Sequence, residues 1–261
     1  MRLPLFQIDA FADRPFAGNP AAVMVLEAWL PDPMMQAIAV ENNLAETAFI
    51  VQGADAWQIR WFTPELEIDL CGHATLASAW VAFHELGHPG DSIRFRSMSG
   101  MLKVDQEGDR LVLDFPSRPP VPCEPPPGLF EALGISARPV AKARDHFVVL
   151  NSEAELAALK PDFSALDKVD CFGVIVTAPG DSVDFVSRFF TPAAGIPEDP
   201  VTGSAHCTLI PYWAERLGKA VLNARQISQR GGDLACELKG DRVAIGGRAV
   251  KVLQGEFFLP D

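Results

Sequence analysis

RWFTP at residues 60–64 and RFFTP at residues 188–192 are nearly the same five residues, 128 positions apart. Each closes a strand-like run. After Pro64 come a short acidic stretch, Asp69, Gly72 and a run of small residues. After Pro192 come a short loop, Asp199, Gly203 and a second such run. The order strand, Thr-Pro, loop, Asp, Gly, helix therefore occurs twice, half a chain apart. The period is too long for a solenoid and predicts two duplicated domains. Shared strand-exit chemistry without duplication is the alternative that the motif alone leaves open.

Length agrees, since 261 residues accommodate two domains of about 100–130 residues each. PSRPPVPCEPPP, at residues 116–127, carries seven prolines in twelve residues. Proline lacks the N–H that a sheet interior or a helix requires, so this stretch predicts a stiff, extended linker. It separates an N-terminal domain, 1–115, from a C-terminal domain, 128–250.

The runs after the two repeats are unusual. Residues 74–83 carry no charge, and neither does SAHCTLIPYW at 204–213. A helix that is apolar all round must be buried all round. Many short strands about one buried helix predict an α+β fold, each domain a rolled, mostly antiparallel sheet around a central helix. Pro211 should bend the second helix, because it cannot donate to the carbonyl of Cys207. The opening MRLPLFQIDAF reads as a strand interrupted at Asp9.

Composition excludes several classes. A net charge of −12 is a poor footprint for nucleic acid, which asks for clustered Lys and Arg. No apolar run reaches the roughly 20 residues of a membrane span. The N-terminus lacks a signal peptide's apolar centre. Five cysteines at irregular spacing suggest free thiols in a reducing cytoplasm. Cys71-x-His73 and His206-Cys207 lack a companion C-x-x-C pair, so no metal is expected.

Three places carry chemistry. Gly72-His73 and Gly203-Ser204 open the two apolar helices, where unpaired N–H groups and a partial positive charge gather. Facing one cleft, such ends would bind a carboxylate or stabilise enolate-like charge. Ordinary capping by Asp69, Thr202 or Ser204 is the competing reading. Glu46 lies in LAETAFI, which has apolar residues on both strand faces. A buried carboxyl there would have a raised pKa suited to proton transfer, whereas on an edge strand Glu46 would sit in water. His73, near helix N–H dipoles, would tend to be a neutral donor. Asp199 could orient a substrate amine or hydroxyl, or cap the helix. His84 and His88 read as surface residues, and His146 has no chemical context.

Five stretches together resemble the PhzF-like family, of the phenazine-biosynthesis isomerase type, within the diaminopimelate epimerase-like superfamily. They are DAFADRPFAGNPAAV (9–23), NNLAETAFI (42–50), FTPELEIDLCGHATLASA (62–79), EDPVTGSAHCTLIPYW (198–213) and QISQRGG (226–232). The resemblance implies two similar domains with the active site between them, and a C-terminal strand near 250–261 that returns to the first domain. It implies a cofactor-independent isomerase in which Glu46 is the acid/base and His73, Asp199 and Ser204 support it. It further implies a small carboxylate-bearing substrate held by Asn19, Gly72, Gly203 and Thr202, and a homodimer. Epimerases of the superfamily use two opposed thiols. Cys71 stands at the first such position, but the second holds Asp199-Pro200-Val201, so a racemase is disfavoured and Cys71 reads as a packing residue. A non-catalytic, metabolite-binding relative is the remaining alternative.

Overall fold

The computed structural model describes residues 1–259 and divides into two units. Unit 1 is Met1–Asp114 with the residues from Gly246 onward, and unit 2 is Phe115–Ile245. In chain order unit 1 contains β1 (Arg2–Ala10), β2 (Asn19–Leu26), α1 (Asp32–Asn42), β3 (Glu46–Val51), β4 (Trp57–Phe62), β5 (Glu67–Ile68), α2 (Gly72–His84), β6 (Ser92–Ser97), β7 (Gly100–Glu107) and β8 (Arg110–Pro116). Unit 2 follows with β9 (Val121–Cys123), α3 (Leu129–Leu133), β10 (Val140–Lys142), β11 (His146–Val149), α4 (Glu153–Ala157), α5 (Phe163–Leu166), β12 (Val174–Pro179), β13 (Phe185–Thr191), β14 (Ile196–Asp199), α6 (Gly203–Leu217), β15 (Val221–Gln226), β16 (Gly232–Lys239) and β17 (Arg242–Gly247). The last strand, β18 (Ala249–Phe258), pairs antiparallel with β1 along its whole length.

The repeated motif marks the same ladder in each unit. In unit 1, β3 pairs parallel with β2 and antiparallel with β4, and β4 pairs antiparallel with β5 and parallel with β6. In unit 2, β12 pairs parallel with β11 and antiparallel with β13, and β13 pairs antiparallel with β14 and parallel with β15. The register matches as well: Phe62 stands opposite Thr47 and Glu67, and Phe190 stands opposite Val174 and Glu198.

This register explains the repeated arginine. Arg60 donates twice to Glu67, at 2.6 Å on each oxygen, and Arg188 donates twice to Glu198, at 2.7 and 2.8 Å. Each guanidinium also lies over the ring of the motif's second aromatic residue, Phe62 or Phe190. A planar fork on a carboxylate fixes the short following strand against the motif strand. That strand delivers the chain to the next helix.

Both motif helices are buried. In α2, residues from Gly72 to Ala79 are all buried, and the helix packs on β1, β2, β3 and β18. Residues Thr47, Phe49 and Val51 of β3 point away from it, and Phe49 and Val51 join a second core layer with Met35 and Ile38 of α1. In α6, Trp213 stacks on Phe185 and donates to Thr177 at 3.0 Å. Pro211 lies inside α6, and the Cys207 carbonyl that it leaves free accepts from the Arg118 N–H at 2.8 Å.

Two sequence expectations change. Asp9 does not interrupt the first strand: it lies buried within β1, and its Oδ2 accepts from the Phe16 N–H at 2.7 Å. Residues 116–127 are not a linker between the units but part of unit 2. Val121–Cys123 pairs with β10, and Ser117 and Arg118 donate to Asp241 and Cys207 within unit 2. Proline is tolerated because β9 is only three residues long. Among the described residues no helix is long and apolar enough to cross a membrane.

Candidate active site

Unit 1 gathers four side chains at the start of α2. Glu46 is the first residue of β3, an interior strand, and is 9% exposed. It is therefore not an edge carboxylate in water. His73 is the second residue of α2 and is 3% exposed. Its Nε2 lies 3.0 Å from Glu46 Oε2, within ion-pair range but without the alignment of a full hydrogen bond. On the ring's other side, Nδ1 lies 3.1 Å from Asn19 Nδ2 and 3.5 Å from Cys71 Sγ. Asn19, at the start of β2, is fully buried.

Charge at this cluster is set by burial and by its members. Burial, reinforced by Glu46, pushes the Cys71 thiol up to about 11. For His73, burial opposes the imidazolium, while negative charge on Cys71 and Glu46 raises its pKa well above the ordinary value. The Cys71 thiol is neutral at ordinary pH, so the share of that rise owed to a charge on Cys71 is absent there. One atom each from Glu46, Cys71 and His73 lie within 4.8 Å of one another, a donor set that could hold a metal ion. A metal would need the thiolate, which the burial of Cys71 opposes.

The helix start is open. Cys71 occupies the cap position of α2 and provides no side-chain cap. Its carbonyl accepts from the Thr75 hydroxyl at 2.5 Å and from the Thr75 N–H at 3.2 Å. The Ala74 N–H faces the Cys71 sulfur, and that of Gly72 keeps its capacity to bind an anion.

Unit 2 repeats the open helix start with different chemistry. Thr202 is the cap residue of α6, and again no side chain caps the helix. The Thr202 hydroxyl instead donates to Asp199 Oδ2 at 2.5 Å. Gln226, fully buried, ties this group together: its Nε2 donates to the Asp199 carbonyl at 2.7 Å and its Oε1 accepts from the Thr202 N–H at 2.9 Å. Ser204, the second residue of α6, is half-buried, and its hydroxyl makes no hydrogen bond among the described residues. Gly203 opens the helix beside it. The capping reading for Asp69, Thr202 and Ser204 is thereby set aside. Asp69 is exposed and accepts from Ser99, and register pairs Asp199 with Phe189 as Ile68 pairs with Trp61, so Asp69 is not its counterpart.

Gln226 and Asp145 do not stand out in the sequence, and His206 does so only beside Cys207 as a candidate metal ligand. Gln226 lies in a quoted motif, but its partners are 24 and 27 positions away. His206 is fully buried one turn into α6, with Nδ1 2.8 Å from the Thr202 carbonyl; burial pulls its pKa down to about 4, opposed by that hydrogen bond. Asp145 is 3% exposed, and burial raises its carboxyl pKa against the pull of Arg144, Arg118 and Lys142. His146, beside it, begins β11 and is buried, which lowers its pKa, with the Lys142 charge adding to the effect.

Residues 8–255 match the family profile of the phenazine biosynthesis-like proteins, PhzC-PhzF. The chain belongs to that family. An uncharacterized isomerase of Pseudomonas aeruginosa is 54% identical over 259 residues, covering 99% of this chain and 100% of that protein. A crystal structure of a PhzF-family protein from Enterococcus faecalis superposes with a TM-score of 0.96 at 52% identity, covering 99% of this chain and 100% of that one. A hydroxyproline epimerase from Agrobacterium vitis, solved with trans-4-OH-L-proline, shares the fold alone, at a TM-score of 0.65 and 10% identity over 100% of this chain and 93% of that one. This PhzF-family chain has the epimerase-like α+β fold, and it is an enzyme of the isomerase class.

Proposed function

We propose that the chain is a cofactor-independent isomerase that moves a proton, and with it a double bond, on a small carboxylate-bearing metabolite. One observation carries the reading: a buried carboxylate, Glu46, lies 3.0 Å from an imidazole nitrogen at the uncapped start of a buried helix. Glu46 as carboxylate takes a proton from an activated carbon, and the electron pair of that C–H bond enters the adjacent π system. The same carboxyl returns the proton to a carbon further along, and the double bond shifts. His73 donates toward Glu46 and orients it.

In this reading Gly72 and Gly203 let a substrate carboxylate approach first-turn N–H groups. Asp199, held by Thr202 and Gln226, and the free hydroxyl of Ser204 engage the same substrate's polar groups. Support for joining the two sets comes from the matched helix starts and from family membership. The enzyme is further taken to be a homodimer, which light scattering tests.

The test is proton exchange. Candidate carboxylates, aminocyclohexadiene acids among them, are incubated with the enzyme in D₂O and followed by NMR. Deuterium entering a substrate carbon supports the reading. Binding without exchange by any ligand would favour a metabolite-binding role instead.

An epimerase acting through Cys71 is the second reading, favoured by the thiol's approach to His73. Two facts weigh against it. The thiol is held protonated to about pH 11, and the matching cap position of α6 is Thr202. Cys71→Ala should retain exchange; its loss in a folded variant would favour the epimerase.

A further inference from the structure

We propose that Asn19 is a positioning residue that holds His73 as the neutral tautomer protonated at Nε2, so that the ring offers Glu46 a donor. The proposal rests on the reading of Glu46 as acid/base, and it reassigns Asn19 from contact with substrate to control of the imidazole.

The position of Asn19 is imposed by the turn before it. Gly18 has φ +63°, and a Cβ there would stand 2.1 Å from the Ala10 carbonyl oxygen. Only glycine fits this turn. It sets Asn19 opposite Ala10 at the start of β2, fully buried, with its amide nitrogen 3.1 Å from His73 Nδ1.

One strict donor then meets the ring nitrogen. An amide N–H has no acceptor capacity, whereas a thiol is a weak donor and a weak acceptor and fits either state of the ring. Asn19 Nδ2, 3.1 Å from Nδ1, requires it to present its lone pair, and Cys71 Sγ lies 3.5 Å from the same nitrogen. The ring proton then lies on Nε2, 3.0 Å from Glu46 Oε2. A second proton would set Nδ1–H against the amide N–H, leaving buried donors unsatisfied.

Glu46 acts in the opposite sense, since its charge favours the imidazolium. Asn19 therefore decides between two states of the ring. With Nδ1 occupied, Glu46 faces one N–H. With Nδ1 protonated, it faces a full positive charge and becomes a weaker base.

Nitrogen-15 NMR of the full chain tests this without any substrate, because imidazole nitrogen shifts separate the two neutral tautomers from the imidazolium. The His73 signals are assigned by their loss in His73→Gln. Wild type at neutral pH should show the neutral Nε2–H form. In Asn19→Asp a carboxylate accepts from Nδ1–H, so the imidazolium should appear and the His73 midpoint should rise by about one unit or more. An imidazolium or an Nδ1–H tautomer in wild type would overturn the proposal, as would an unchanged spectrum in Asn19→Asp. If Asn19→Asp does not fold, Asn19→Ala takes its place and should lose the single-tautomer signature; retention of it would overturn the proposal. The readout is the ring itself, so failure here is distinct from failure of the isomerase reading, which proton exchange decides.

Discussion

Gly173 holds in unit 2 the register position that Glu46 holds in unit 1. Thr47 opposite Phe62 matches Val174 opposite Phe190, so the residues before them correspond. The space a side chain would need at Gly173 is taken by the Phe189 ring, 2.5 Å from where a Cβ would stand, with Asp145 Oδ1 next at 3.3 Å. Unit 2 thus has a carboxyl near the spot where unit 1 places Glu46, but supplied by the residue before β11. That carboxyl is buried, and among the described residues its Oδ1 has no hydrogen-bond partner.

Asp145→Asn should therefore raise stability at neutral pH. Burial raises the carboxyl pKa in the folded state, so Asp145 supports folding below the ordinary carboxylate range, and that support is lost as pH rises through the folded value. Thermal melts of the variant and of wild type should differ more at pH 7 than at pH 4. Equal melting at both would show that the carboxyl is well solvated or paired. Reduced proton exchange in a stabilised variant would mark Asp145 as functional.

The arginine clamps should be stability elements. Arg188 donates twice to Glu198 and once, at 2.9 Å, to the Leu159 carbonyl, and is 12% exposed. Arg188→Met should cost about 2–3 kcal/mol, since it removes charged hydrogen bonds and leaves Glu198 without its partner. Urea denaturation measures this, and a loss below about 0.5 kcal/mol would place the pair among ordinary surface ion pairs.

His206 should make the fold sensitive to acid. Its folded pKa is depressed to about 4, below the ordinary 6.5. Between those values the unfolded chain binds a proton that the folded chain does not, so stability is present above pH 6.5 and falls as pH drops toward 4. The loss is on the order of 3 kcal/mol. His206→Gln, which keeps a donor for the Thr202 carbonyl, should flatten this slope. A slope unchanged from wild type would show that other groups cause it.

Much of this architecture could be read from residues alone, for physical reasons that differ case by case. The repeated motif was legible because arginine, aromatic, threonine and proline recur in order. Its glutamate partners were not, because the loops to Glu67 and Glu198 differ in length. The buried helices were legible from their lack of charge. Glu46 stood out as a carboxylate flanked by apolar residues. Asp145 and Gln226 had no such contrast, since their meaning comes from strand register and from partners far along the chain. The proline-rich segment misled because proline excludes long strands but not a three-residue one, and its Arg118 N–H answers the gap that Pro211 creates in α6.

The central claim is that Glu46 moves the proton, and Glu46→Gln tests it most directly. A carboxylate that binds to both wild type and variant, established by thermal shift, is incubated with each in D₂O. The account requires deuterium incorporation by wild type and a fall of about 10²–10⁴-fold in the variant, whose fold and ligand binding persist. Equal exchange by the two proteins would contradict it and would move the chemistry to another residue.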